Sequence, residues 1–167
     1  MERQAAERPA RGAEALVAAQ LALLAVLALP AGRKHIRMRP GRRTLGMVLV
    51  GAGGALGAAG ALALGPALTP SPLPTAGAEL RTGGLYGRIR HPIYTGLTVA
   101  AVGRAYWTGA VRHRAAAVAL AVLLQFKARY EERFLTARFP GYAPYAARTP
   151  AWVPRPGRSG GAAPCGS

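Results

Sequence analysis

Four stretches of this chain are nearly free of charge. Residues 15–31 hold one Gln and no ionisable group, 44–69 hold none, 93–111 hold only Arg104, and 115–126 again hold none. A bilayer core about 30 Å thick is crossed by about 20 apolar residues of α-helix. Two of the runs meet that length directly, and the shorter two reach it by tilting or by snorkelling of their flanks. The expected fold is therefore all-α: an integral-membrane bundle of about four transmembrane helices.

Composition agrees with that expectation. Of 167 residues, enough for one domain, 51% are hydrophobic and only 17% charged. A net charge of +16 is compatible with a nucleic-acid binder. Yet all but two of the basic residues are Arg, and they are scattered between the apolar runs as flanks of membrane spans are. Residues 28–31, Ala-Leu-Pro-Ala, resemble a signal-peptidase site, whereas Glu2, Glu7 and Glu14 argue against the basic leader a signal peptide requires. The lone cysteine, Cys165, excludes an intramolecular disulfide and a zinc framework. Asp is absent, so any chemistry needing a carboxylate must draw on six Glu.

The chain divides into a polar leader (1–12), a membrane domain (13–155) and a Gly/Pro/Ser tail (156–167) with too little apolar surface to fold. A basic connector spans 32–43, and Pro66, Pro70, Pro72 and Pro74 impose an irregular passage before Glu79. Counting Lys and Arg by loop favours both termini in the cytoplasm, with the first loop dissenting. The last two runs form a helical hairpin, so whatever precedes residue 93 and whatever follows Phe126 face the same compartment. The second run lacks the spacing of a dinucleotide-binding loop. Its Gly53, Gly57 and Ala61 instead have the small-xxx-small spacing that lets another helix approach closely. Arg104, followed by Tyr106 and Trp107, is read as snorkelling to the far membrane face.

Chemically capable side chains concentrate at one end of that hairpin. Residues 86–96 read YGRIRHPIYTG, with Tyr86, Arg90, His91, Pro92, Tyr94 and Gly96, and Arg88 as an interfacial anchor. The fourth helix is expected to continue beyond Phe126 until Pro140-Gly141 stops it, carrying Glu131 and Glu132 back to the same face. Local pairing with Lys127 and Arg129 is the plainer explanation of that Glu pair. Tyr142, Tyr145 and Arg148 follow at intervals of three. Cationic donors, two carboxylates and aromatic faces suit a zwitterionic ligand that bears a separate positive centre.

Arg90-His-Pro-x-Tyr94-x-Gly96, then Glu131-Glu132-x-x-Leu135 one hairpin later, then Tyr142-x-x-Tyr145-x-x-Arg148-x-Pro150, resembles the isoprenylcysteine carboxyl methyltransferase and phospholipid methyltransferase family. The resemblance covers residues 44–155. It implies an enzyme of the cell's inner or plasma membrane that uses S-adenosylmethionine and takes an amphiphilic or small hydrophobic acceptor from the bilayer. It further implies cofactor binding by Tyr86, Arg90, His91, Pro92, Tyr94, Gly96, Glu131, Glu132 and Tyr145, with Arg148 and His91 acting on the acceptor. Arg90 and His91 are suited to the cofactor's carboxylate, either Glu to its ammonium, and tyrosine faces to its sulfonium or adenine. A carboxylate acceptor, oriented by Arg148, needs no general base; an amine or thiol would need His91 or a Glu. Leu85, Gly87 and Pro144 depart from the family pattern and bear on the acceptor pocket. Two other readings are a membrane sterol or lipid reductase and a non-enzymatic four-span subunit.

Overall fold

A computed structural model describes residues 2–31, 40–65, 68 and 80–153. Among them there is no strand, and five helices follow in order: α1 (Glu2–Ala28), α2 (Pro40–Leu64), α3 (Pro92–Thr108), α4 (Val111–Arg138) and α5 (Tyr142–Arg148). The proline-rich passage, most of the basic connector and the tail with Cys165 lie outside the described residues.

The ends of the helices follow local chemistry. Residue 29 precedes Pro30, which disfavours further helix, so α1 stops at Ala28 rather than running to 31. The helix begins at Glu2, so the polar leader, residues 2–12, is itself helical. Pro40 opens α2 four residues earlier than the apolar run, its fixed φ suiting a first helical turn. Gly109, at φ 64°, ends α3 in the left-handed conformation and returns its N–H to Ala105. Val111 then starts α4 directly, which closes the expected hairpin. As anticipated, α4 continues well past Phe126 and ends at Arg138, before Pro140.

Helices α2 and α3 meet backbone to backbone. A Cβ built on Gly53 would lie 2.5 Å from Ala100 N and Gly96 O, and one on Gly96 would lie 2.5 Å from Gly53 O and Gly57 N. The close approach expected at Gly53 and Gly57 is present. It extends to Gly46 against Trp107, Gly60 against Ile93, and Gly103 against Leu49, so the seam recurs every seven residues rather than passing through Ala61. On the other side of α3, small residues again dominate: Ala101, Ala105, Ala116 and Ala117 pack with Leu27, Leu120 and Leu124 between α1, α3 and α4.

By length and composition, α2 is the one described helix able to cross a bilayer, with mean hydropathy 1.9 over its most apolar stretch; Gly12–Ala28 forms a shorter apolar segment. Arg104 lies at the end of the bundle remote from the Arg90-His91 segment and caps a neighbouring helix there. Its Nε donates to Leu27 O at 2.9 Å and its Nη2 to Leu29 O at 3.0 Å, satisfying carbonyls that the end of α1 leaves open. At the same end Arg42 of α2 donates to Tyr106 O at 3.2 Å. These caps hold the end of the bundle remote from the Arg90-His91 segment.

Gly53→Ala should therefore lower the melting temperature in detergent, by about 1–3 kcal/mol of overpacking. Gly54→Ala, where a Cβ meets open space, should change it little. Equal stability of the two variants in a thermal melt would refute the seam.

Candidate functional site

The site forms where the segment entering α3, the extension of α4, and α5 with the passage after it converge. Pro92 sets the geometry. It occupies the first position of α3 and packs on Gly60, which leaves Arg90 and His91 just outside the helix. There their backbone N–H groups donate to Pro150 O at 2.9 Å and Ala151 O at 3.1 Å. Thr95 reinforces the junction by donating to Trp152 O at 3.0 Å. Tyr145 donates its hydroxyl to Tyr86 O at 2.6 Å, and Tyr86 in turn donates to Gly60 O at 3.3 Å. The final descent of the chain is thus stitched to the segment before α3.

Arg90, His91 and Glu132 form the central ionic knot. One oxygen, Glu132 Oε1, receives Arg90 Nε at 3.0 Å and Nη2 at 2.9 Å, and lies 2.9 Å from His91 Nε2. Arg90 Nη1 donates to Ala146 O at 2.5 Å and to Thr149 O at 2.8 Å, so the guanidinium also caps α5. Glu132 thus reaches across the hairpin to the residues before α3. Arg90 directs most of its donors into the protein, leaving little of its fork for a ligand's carboxylate.

Glu131 is placed differently. It accepts the Tyr94 hydroxyl at 3.0 Å and stands 3.9 Å from His91 Nδ1. Together with Tyr86, Arg90, His91, Pro92 and Tyr94 it lines a cavity of about 300 Å³, whose other walls are Leu64, Leu68, Ile93, Gln20 and Lys127. Glu132 is not among the lining residues. Tyr94 is already flanked by the His91 ring, stacked at 5.4 Å, and by Lys127 Nζ, 5.5 Å from its ring centre.

The two neighbouring carboxyls titrate apart. Burial pushes Glu131 above its ordinary 4.5, and the opposing pull of His91, the Tyr94 hydroxyl and Lys127 does not cancel it. Burial acts upward on Glu132 too, but the His91 hydrogen bond and the Arg90 charge outweigh it and hold that carboxyl below 4.5. Burial raises the Tyr145 hydroxyl to about 12. The pair therefore divides into a locked anion, Glu132, and a cavity carboxyl, Glu131, able to receive a cation.

Not every residue expected at the site is brought there. Gly96 is buried against α2, where it serves the helix seam. Tyr145 supports Tyr86 from behind. Arg148 is exposed on α5 and lines no part of the cavity, and Arg88 is exposed as an anchor would be. Two contributors escaped the sequence reading, Gln20 and Trp152, while Lys127, expected as a local partner of Glu131, also lines the cavity. Gln20 had one available signal, as the only polar side chain in the first apolar run.

A family model described as phospholipid methyltransferase matches residues 42–141, a stretch holding α2, α3, α4 and both halves of the ionic knot. The chain belongs to this family of integral-membrane methyltransferases. It is also 41% identical over 78 residues to the cobalt-zinc-cadmium resistance protein CzcN of Cupriavidus metallidurans. A similar match, 42% over 79 residues, links it to the nickel-cobalt-cadmium resistance protein NccN of Alcaligenes xylosoxydans. Each match covers 46% of this chain but only 36% and 37% of those proteins, so the chain spans little more than a third of the curated relatives it matches. Among the described residues no group of three His, Cys, Asp or Glu is placed to hold a metal ion.

Removing the charge of Glu132 tests the knot. Because its folded pKa lies below 4.5, its stabilisation is fully present above that value and is lost as pH falls through the depressed value. Glu132→Gln should cost about 2 kcal/mol near neutral pH, with the gap to wild type closing in acid. A gap in melting temperature that persists unchanged below pH 4.5 would refute the assignment.

Proposed function

We propose that the protein is an S-adenosylmethionine-dependent methyltransferase acting at the membrane surface on a lipid-like or small hydrophobic acceptor. One observation carries the reading: a single cavity joins the Arg90-His91-Pro92 segment and Glu131 to an apolar wall of Leu64, Leu68 and Ile93. In this reading four helices span the membrane, both termini are cytoplasmic, and the cavity opens at the cytoplasmic face of the inner membrane.

The donor set fits the cofactor. S-adenosylmethionine, when bound, supplies an electrophilic methyl group on a positively charged sulfonium. Glu131, the carboxyl on the cavity wall, would hold its ammonium, while Tyr86 offers an aromatic face. Arg90 acts mainly by positioning, since its contacts with Glu132, Ala146 and Thr149 fix His91 and α5. His91 orients Tyr94 by stacking and presents its Nδ1 edge toward Glu131. The apolar wall excludes water from the reacting atoms, and alignment with desolvation is the protein's main task in an in-line displacement. The resistance roles in the names of the two relatives identify growth in cobalt, nickel or cadmium as the first phenotype to examine.

Membranes incubated with methyl-labelled S-adenosylmethionine should transfer label to a lipid, a protein or a volatile product. Purified protein should bind the cofactor by calorimetry, and Glu131→Gln should weaken that binding at least about tenfold. Undiminished affinity in this variant would sink the site assignment. Heat protection by NADPH instead of the methyl donor would favour a reductase, and a stoichiometric partner without cofactor binding would favour a structural subunit.

A further inference from the structure

Both carboxylates of α4 turn inward to the hairpin, Glu132 to Arg90 and His91, and Glu131 to Tyr94. Arg129 is thereby left without the partner three residues on that its spacing offers. Arg133, one turn further along, has only Arg129 at the matching position behind it. Both arginines are exposed, and among the described residues neither forms an ion pair. Asp is absent and Glu numbers six in a chain of net charge +16, so carboxylates that could neutralise them are scarce.

Their place on the helix is specific. At 100° per residue, Val118, Val122, Phe126, Arg129 and Arg133 fall within about 80° of one another. The buried Leu120, Leu124 and Lys127 lie on the opposite side. Val118, Val122 and Phe126 are 66%, 51% and 61% exposed. The back of α4 is thus one stripe, apolar up to Phe126 and cationic from Arg129, and it changes character within about 4.5 Å of helix rise. Arg129 and Arg133 diverge by only about 40° and stand about 6 Å apart along the axis, so their forks can share one anion. Arg112 and Arg114 flank the other end of the apolar run, but they point about 160° apart and cannot.

A stripe that is hydrophobic and then doubly cationic matches an amphiphile with an anionic headgroup. A second copy of this chain fits it poorly. Two-fold docking through the same face would bring four arginines together, with Val and Phe where closely packed membrane helices carry small residues. We propose that the back of α4 binds an anionic phospholipid, its phosphate gripped between Arg129 and Arg133 and an acyl chain laid along Phe126, Val122 and Val118. This rests on α4 spanning the membrane, as proposed above, and not on the methyl-transfer chemistry. Guanidinium forks suit phosphate oxygens. Arg129 and Arg133 bracket Glu131 and Glu132 in sequence, so a headgroup held there fixes the depth at which those carboxylates stand relative to the bilayer. The lipid lies across the helix from the cavity and is a structural ligand, distinct from the methyl acceptor.

The test offers full-length protein in non-ionic micelles equal amounts of dioleoylphosphatidylglycerol and dioleoylphosphatidylcholine, reads the retained lipid by native mass spectrometry, and follows thermal melts with each. Wild type should retain the glycerol lipid at least about tenfold over the choline lipid, as two arginines at a membrane surface would confer, and should melt higher with it. Arg129→Gln with Arg133→Gln should abolish the preference while melting like wild type in the choline lipid. Lysine at both positions should keep most of the preference, and Arg112→Gln with Arg114→Gln should leave it unchanged. Equal retention of the two lipids by wild type, an undiminished preference in the Arg129→Gln, Arg133→Gln variant, or its loss in the Arg112→Gln, Arg114→Gln variant would overturn the proposal. Protection by inorganic phosphate equal to that by the glycerol lipid would also overturn it, by revealing a site for free anions. Each of these results leaves the methyltransferase reading standing. Recovery of the protein in the aqueous phase without detergent would overturn the membrane reading and this proposal together.

Discussion

A single carboxylate oxygen holds the site together. Glu132 Oε1 gathers Arg90 and His91 from the segment before α3, and the same Arg90 reaches on to the carbonyls of Ala146 and Thr149. Three parts of the chain, separated by more than forty residues in the first interval, are fixed by one cluster of charge. The arrangement tolerates burial because each partner is both paired and hydrogen-bonded, the condition under which buried charges persist. Glu131 keeps an elevated pKa beside it because its own burial outweighs the pull of His91, Tyr94 and Lys127, and the neighbouring Glu132 charge pushes the same way. The contrast between two adjacent residues is thus a product of tertiary structure.

What the sequence disclosed was mainly local or periodic. Proline and glycine mark the ends of α3 and α4, so the hairpin and the return of Glu131 and Glu132 to Arg90 and His91 were legible from it. Small-residue spacing in α2 announced a close helix neighbour, although not that Gly96 would be drawn into the seam and away from the cavity. The roles of Arg104 and Gln20 were not legible. Each depends on α1 docking beside α3 and α4, with partners 77 and 107 residues away, and no local pattern encodes such a meeting.

Family membership and site geometry bear on different questions. The match over residues 42–141 concerns the chemistry, methyl transfer in a membrane, and leaves the acceptor open. Parts of the site come from outside that stretch: Gln20 of α1 on the cavity wall, and the passage ending in Trp152, whose carbonyl and ring abut Thr95 and His91.

The glycine seam between α2 and α3 limits how these helices slide. Gly53 meets the α3 backbone directly, while Gly46 and Gly60 seat Trp107 and the Pro92-Ile93 side chains, so little free space is left along the seam when the helices shift. A displacement by one turn would drive a Cβ into a peptide group, and the next compatible registry lies seven residues away, a translation of about 10 Å. Helices α2 and α3 are therefore held against gliding past one another. The contact of α1 with α3 and α4 is different in kind, for Leu27, Leu120 and Leu124 meet there through side chains that can adjust their rotamers.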